Sequence, residues 1–156
     1  MNLEIWDLRL LRLAKHISEW SKDISTKCGS VIADDKCRVI SVGFNGFPKG
    51  VKDDDRLLDR ETKYKIVIHA EENALLFAPR LVEGCWLYIY PFMPCAPCAS
   101  KIVQSGINRV IYPIDDELNK TERWERWKGS FDLSGQILAE AHVEMKGLYL
   151  GGESLK

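Results

Sequence analysis

The sequence predicts an α/β fold: a mixed sheet of about five strands with helices on both faces. Two observations lead there. Residues 28–44 read as two short strands joined by turn residues, which makes an antiparallel hairpin. Residues 85–112 read as strand, helix, strand, the order of a right-handed parallel crossover. A hairpin and a crossover in one sheet make that sheet mixed.

Each element follows from its residues. Leu3, Trp6, Leu10, Leu13 and Ile17 recur at helical spacing, with Asp7, Arg9, Arg12, Lys15 and Glu19 between them. That predicts an amphipathic helix over residues 2–20. Cys28–Ala33 is a strand, Ala33-Asp34-Asp35-Lys36 is turn material, and Arg38–Phe44 is the returning strand. Asn45-Gly46-Phe47-Pro48-Lys49-Gly50 breaks that strand into an irregular loop, a place where ligands are often held. Asp53, Asp54 and Asp55 suit a helix N-terminus or a divalent ion, and Leu57, Leu58 and Tyr64 fit a short helix after them. Ile66–Ile68 leads into His69, which opens a helix that Pro79 ends. Cys85–Tyr90 is an apolar run typical of a strand buried on both faces. A helix then runs from Cys95 to Gly106, a natural C-cap, and Asn108–Tyr112 is a strand that Pro113 stops. Thr121–Trp127 reads as a short helix, Phe131–His142 as another, and Val143–Leu150 as a final strand.

Composition bounds the function. The chain has 156 residues, 46% of them hydrophobic, so we expect one domain spanning residues 1–156 with a sizeable core. No apolar run approaches the roughly 18 residues of a membrane span. Residues 1–7 carry acids and no basic segment, so no secretory signal is expected. Five cysteines, two of them in one short motif, do not resemble a disulfide framework, and a reducing, cytoplasmic setting is expected. A formal net charge of −1 argues against a large nucleic-acid surface but leaves room for a small anionic ligand.

The chemistry concentrates between Ile68 and Cys98. His69-Ala70-Glu71 and Pro94-Cys95-Ala96-Pro97-Cys98 together read H-x-E, a gap, then P-C-x-x-C, the residue pattern of zinc-dependent deaminases. Either half alone is weak: a bare C-x-x-C also fits a redox pair or half a structural zinc site. A catalytic zinc takes three protein ligands and keeps one position open. Cys95 and Cys98 at one helix start, and His69 at another, supply three. Helix N-termini also favour thiolate charge. Glu71, two residues after His69, is placed to move protons without binding the metal. The other reading is a closed structural zinc site with a fourth ligand from Cys28, Cys37 or Cys85. These three also read as small apolar core residues.

Further segments resemble the deoxycytidylate (dCMP) deaminases within the cytidine deaminase-like superfamily, over about residues 3–112. They are Ser21-Lys22-Asp23 through Lys27-Cys28-Gly29-Ser30-Val31-Ile32, Gly43 through Gly50, His69 through Ala74, Pro94 through Ala99, and Gln104 through Ile107. The Gly-(Tyr/Phe)-Asn-Gly-x-Pro-x-Gly loop separates this branch from nucleoside and tRNA adenosine deaminases. The match looks most like compact phage members, which would place the protein in a host cytoplasm.

The resemblance implies an α/β/α sandwich and hydrolysis of dCMP to dUMP and ammonia, supplying thymidylate synthesis. It implies that Asn45 bonds the sugar or ring, and that the backbone of Ala70 and Pro94 reads the base edge. Lys22, Lys27 and Lys49 are its candidates for the phosphate, and Tyr112 for stacking on the base. It also implies a homohexamer, activated by dCTP and inhibited by dTTP with Mg2+. The effector is then sought at Asn45, Gly46, Phe47, Pro48, Lys49 and Gly50, at Asp53 to Asp55, and at Arg80. Residues 49–66 hold no His or Cys, so a second, structural zinc found in many members is not expected, and one zinc per chain is. The rival readings are the same chemistry on cytidine, dCTP or a nucleic acid, and a non-catalytic zinc or nucleotide-binding regulator. The tail after Tyr112, with Trp124 and Trp127, matches the family poorly and is expected to line the pocket or a subunit face.

Overall fold

The computed structural model describes residues 1–151. Its elements are α1 (Leu3–Ser18), β1 (Gly29–Ala33), β2 (Val39–Phe44), α2 (Arg60–Ile66), α3 (Ala70–Leu76) and β3 (Trp86–Tyr90). They continue with α4 (Ala96–Gln104), β4 (Arg109–Ile114), α5 (Glu122–Glu140) and β5 (Glu144–Tyr149). The five strands form one sheet in the order β2-β1-β3-β4-β5. β1 is antiparallel to both β2 and β3, whereas β3, β4 and β5 run parallel, so the sheet is mixed as expected.

Strand alternation builds the two cores. Val31, Tyr88 and Ile111 face α1, where Leu10, Leu11, Ala14 and Ile17 cover them. Ile32, Leu87, Ile89 and Val110 face the other way, onto Ala70 and Ala74 of α3, Ala99 and Ile102 of α4 and Leu138 of α5. One face therefore carries α1 and the other α3, α4 and α5. Gly43 lets α3 lie close to β2: a Cβ there would stand 2.3 Å from the Ala70 carbonyl oxygen and 2.4 Å from the Ala74 nitrogen.

Two expectations are corrected. The segments 121–127 and 131–142 are not two helices: α5 runs unbroken through Gly129 and Ser130. Trp124, Trp127, Phe131, Ser134 and Leu138 form one stripe at helical spacing, and burying it outweighs the poor helix propensity of glycine and serine. Pro113 does not stop β4 either. The β3 ladder ends at Ile111, so beyond it β4 pairs with β5 alone, and a local edge tolerates proline.

Asp7 of α1, fully buried, locks the first helix to the sheet. It takes bonds of 2.7 and 2.9 Å from Arg109, 2.9 Å from Lys146 and 2.9 Å from the Tyr88 hydroxyl. Burial alone would raise its carboxyl; those donors outweigh it and hold it below the ordinary 3.8. Removing one partner of a buried ion pair costs about 3–5 kcal/mol. Asp7→Asn is expected to lower the urea midpoint by about that much in free energy at neutral pH. A depressed carboxyl contributes stability above its unfolded value and loses it as pH falls through the folded value. The gap between variant and parent should therefore close below pH about 4.

Candidate active site

The cavity sits where several chain ends meet at one edge of the sheet. Cys28 precedes β1, Asn45 follows β2, and Tyr90 ends β3, which are neighbouring corners of the sheet. α3 and α4 begin at the same edge. His69 is the N-cap of α3 and Cys95 the N-cap of α4, with Cys98 in the first turn. The His69 Nδ1 lies 3.4 Å from the Cys95 Sγ and 3.3 Å from the Cys98 Sγ.

The two helix starts are tied together. Glu72 accepts the His69 backbone N–H at 3.0 Å and pairs with Lys101 of α4. α5 adds a third tie, the Ser130 hydroxyl accepting the Ala96 N–H at 2.9 Å.

Three donor atoms within 4.8 Å of one another, two soft sulfurs and one imidazole nitrogen, are a zinc donor set. Among themselves the groups share protons. Hydrogen bonding with Cys98 and His69 draws the Cys95 thiol down to about 5 despite burial. The bond to Cys95, together with burial, pushes Cys98 up. The Cys95 contact lifts His69 to about 9. A dication takes the place of such protons, so the residues fit the metal.

Glu71 is 5% exposed and lines the cavity beside His69 and Cys95. Burial pushes its carboxyl up to about 7, against the opposing pull of His69. A carboxyl poised near neutrality can both take and give a proton, which is what general acid–base work needs.

The other predicted residues fall into two groups. Asn45 is buried in the cavity wall: its amide oxygen accepts the Cys28 N–H at 2.8 Å, and its amide nitrogen donates to the Thr26 carbonyl at 2.9 Å. Ala70 is fully buried in the first turn of α3, and Pro94 is buried just before Cys95. Lys22, Lys27, Lys49 and Tyr112 do not line the cavity. Lys22 is exposed and paired with Asp53 at 2.7 Å, and Lys27 and Lys49 are exposed. Tyr112 packs half-buried against the core.

The effector candidates scatter. Gly46 bridges to Ile68, Phe47 lies under the Arg56 guanidinium at 5.7 Å, and Pro48 to Val51 closes a turn with Gly50 at φ +84. Asp54 caps the short turn Asp55–Leu57 and pairs with Arg56, while Asp53 pairs with Lys22, so the two carboxylates have separate partners. Arg80 stands 3.9 Å from Asp34, at the end of the sheet opposite the cavity.

Sequence reasoning missed part of the wall. Lys63 of α2 is buried there, 3.1 Å from Asp23 and 2.6 Å from the Ser25 hydroxyl. Trp127, Phe131 and Phe92 form an aromatic side: Trp127 meets His69 at 6.3 Å and Tyr64 at 5.6 Å between ring centres. Of the two places expected for the tail, Trp127 takes the pocket; Phe131 and Phe92, which join it there, were not placed in it from the sequence. Among the described residues, no helix is long and apolar enough to cross a membrane.

Residues 4–114 match the family model described as the cytidine and deoxycytidylate deaminase zinc-binding region. The chain belongs to this family. An uncharacterised deaminase from the luxG 3′ region of Aliivibrio fischeri is 42% identical over 93% of this chain and 95% of its own length. The human deoxycytidylate deaminase is 34% identical over 83% of this chain and 76% of its own. Among solved structures, the cyanophage S-TIM5 dCMP deaminase in apo form covers 95% of this chain and 100% of its own, with TM-score 0.71 and 22% identity. It shares the fold. The family match ends with the last residue of β4, so α5 and β5 lie beyond it.

Glu71→Gln is expected to retain zinc by metal analysis and to lose at least about 100-fold in turnover. Cys98→Ser is expected to lose the metal itself, leaving two of the three donors.

Proposed function

We propose that this chain, working as one domain, hydrolyses dCMP to dUMP and ammonia in the cytoplasm. The observation that carries the reading is Glu71, buried at the base of the cavity beside the three metal donors. The human relative and the cyanophage fold neighbour bear the same activity in their names, and a structure of the latter holds dCMP and dUMP.

His69, Cys95 and Cys98 would hold one zinc ion. When bound, zinc acidifies the attacking water, to a pKa of roughly 7. Glu71 removes a proton from that water as its oxygen adds to C4 of the cytosine ring, and delivers the proton to ring N3. Glu71 then carries the second proton from the new hydroxyl to the amino group, which leaves as ammonia, and C4 becomes the carbonyl of uracil. Asn45 holds the loop 26–28 against the cavity and keeps one amide N–H for the sugar. The first-turn N–H of Ala70, without a helical partner, and the backbone at Pro94 are the groups for the base edge. The aromatic side excludes bulk water.

In the same reading the protein assembles as a homohexamer, dCTP activates it and dTTP with Mg2+ inhibits it. The family resemblance supports this. The effector residues proposed are Asn45 to Gly50 with Asp53, Asp54 and Arg80.

Assays of dCMP, dCTP, cytidine and a single-stranded oligonucleotide side by side should show dCMP preferred. An equal or faster rate on another member of the panel overturns the substrate reading. Saturating dCTP or dTTP should shift the rate curve or the melting temperature; no movement in either sinks the regulatory part.

A further inference from the structure

The phosphate of the substrate needs a cation at the cavity, and two cationic side chains line it, Lys63 and Arg126. They differ in what they already hold. Lys63 is 4% exposed and committed to Asp23 and Ser25, so its charge is largely answered inside the protein. Arg126 is exposed and makes no ion pair among the described residues, although Glu122 stands one turn before it on the same helix. Lys22 is answered by Asp53 and lies outside the cavity, as do Lys27 and Lys49.

Position also favours Arg126. A phosphate dianion is strongly hydrated and belongs at a mouth, not at a desolvated floor. The floor is Glu71 with the metal donors, and the exposed Arg126 stands at the rim. It immediately precedes Trp127 on α5, and Trp127 meets both His69 and Tyr64, which holds this part of the helix at the cavity. A guanidinium at that rim offers two parallel N–H donors to two phosphate oxygens.

Resting on the dCMP reading, we propose that Arg126 is the residue that binds the 5′-phosphate and sets the preference for a nucleotide over its nucleoside. The determinant then lies on α5, beyond the residues 4–114 that define the family.

The test compares the zinc-loaded parent with Arg126→Gln, Arg126→Lys and Lys128→Gln, on dCMP and on deoxycytidine, the same nucleoside without phosphate. Loss of a charge-assisted hydrogen bond corresponds to about tenfold or more. Arg126→Gln should raise KM for dCMP by at least about that factor, with kcat far less changed and the deoxycytidine rate unmoved. Arg126→Lys should recover part of the loss. Lys128→Gln, an exposed cation on the same helix outside the cavity, should behave as the parent. Zinc content and melting temperature report on folding in each variant. An unchanged KM for dCMP in Arg126→Gln overturns the assignment, and so does an equal loss on both substrates. A parent that handles deoxycytidine as well as dCMP overturns the substrate reading itself.

Discussion

His69 and Cys95 are both helix caps, and the site depends on the two helix starts lying side by side. Such an arrangement brings two partial positive charges together, which is unfavourable in isolation. Thiolate sulfur at that point turns the same field into an attraction. Glu72 adds a carboxylate at the start of α3, and its pair with Lys101 spans the two helices. Gly43 sets how closely α3 lies on the sheet, and through it the depth at which His69 stands. A shift of α3 would move His69 and Glu71 together, because both are at its start.

The cavity around that centre is assembled from segments far apart in sequence. Loop 21–28 supplies Asp23 and Thr26, α2 supplies Lys63 and Tyr64, and α5 supplies Trp127 and Phe131. This enclosure produces the environment of Glu71: an open carboxyl would titrate in its ordinary range, and burial lifts it towards neutrality. His69, Glu71, Cys95 and Cys98 are within the matched residues 4–114, and Trp127 and Phe131 of the wall are beyond them.

The mixed sheet, its hairpin and the grouping of His69 with Cys95 and Cys98 were legible because each has a local signal. Turn residues mark the hairpin, an apolar run marks β3, and H-x-E with P-C-x-x-C marks the centre. Long-range packing was not. Nothing beside Lys63 in the sequence announces that it is buried against Asp23, forty residues away, and nothing beside Asp7 announces Arg109. Residues 121–127 and 131–142 read locally as two helices, and the buried stripe of α5 joins them through Gly129 and Ser130. Lys22 looked available for an anion until the fold brought Asp53 to it.

Trp127 stands late in the chain relative to the residue it covers. Synthesis proceeds from the N-terminus, and all three donors are complete by Cys98, before any residue of α5 exists. The helix that roofs His69 is therefore delivered after the residues it covers. The three residues that meet at the cavity thus precede, in order of synthesis, the side chain that packs on one of them.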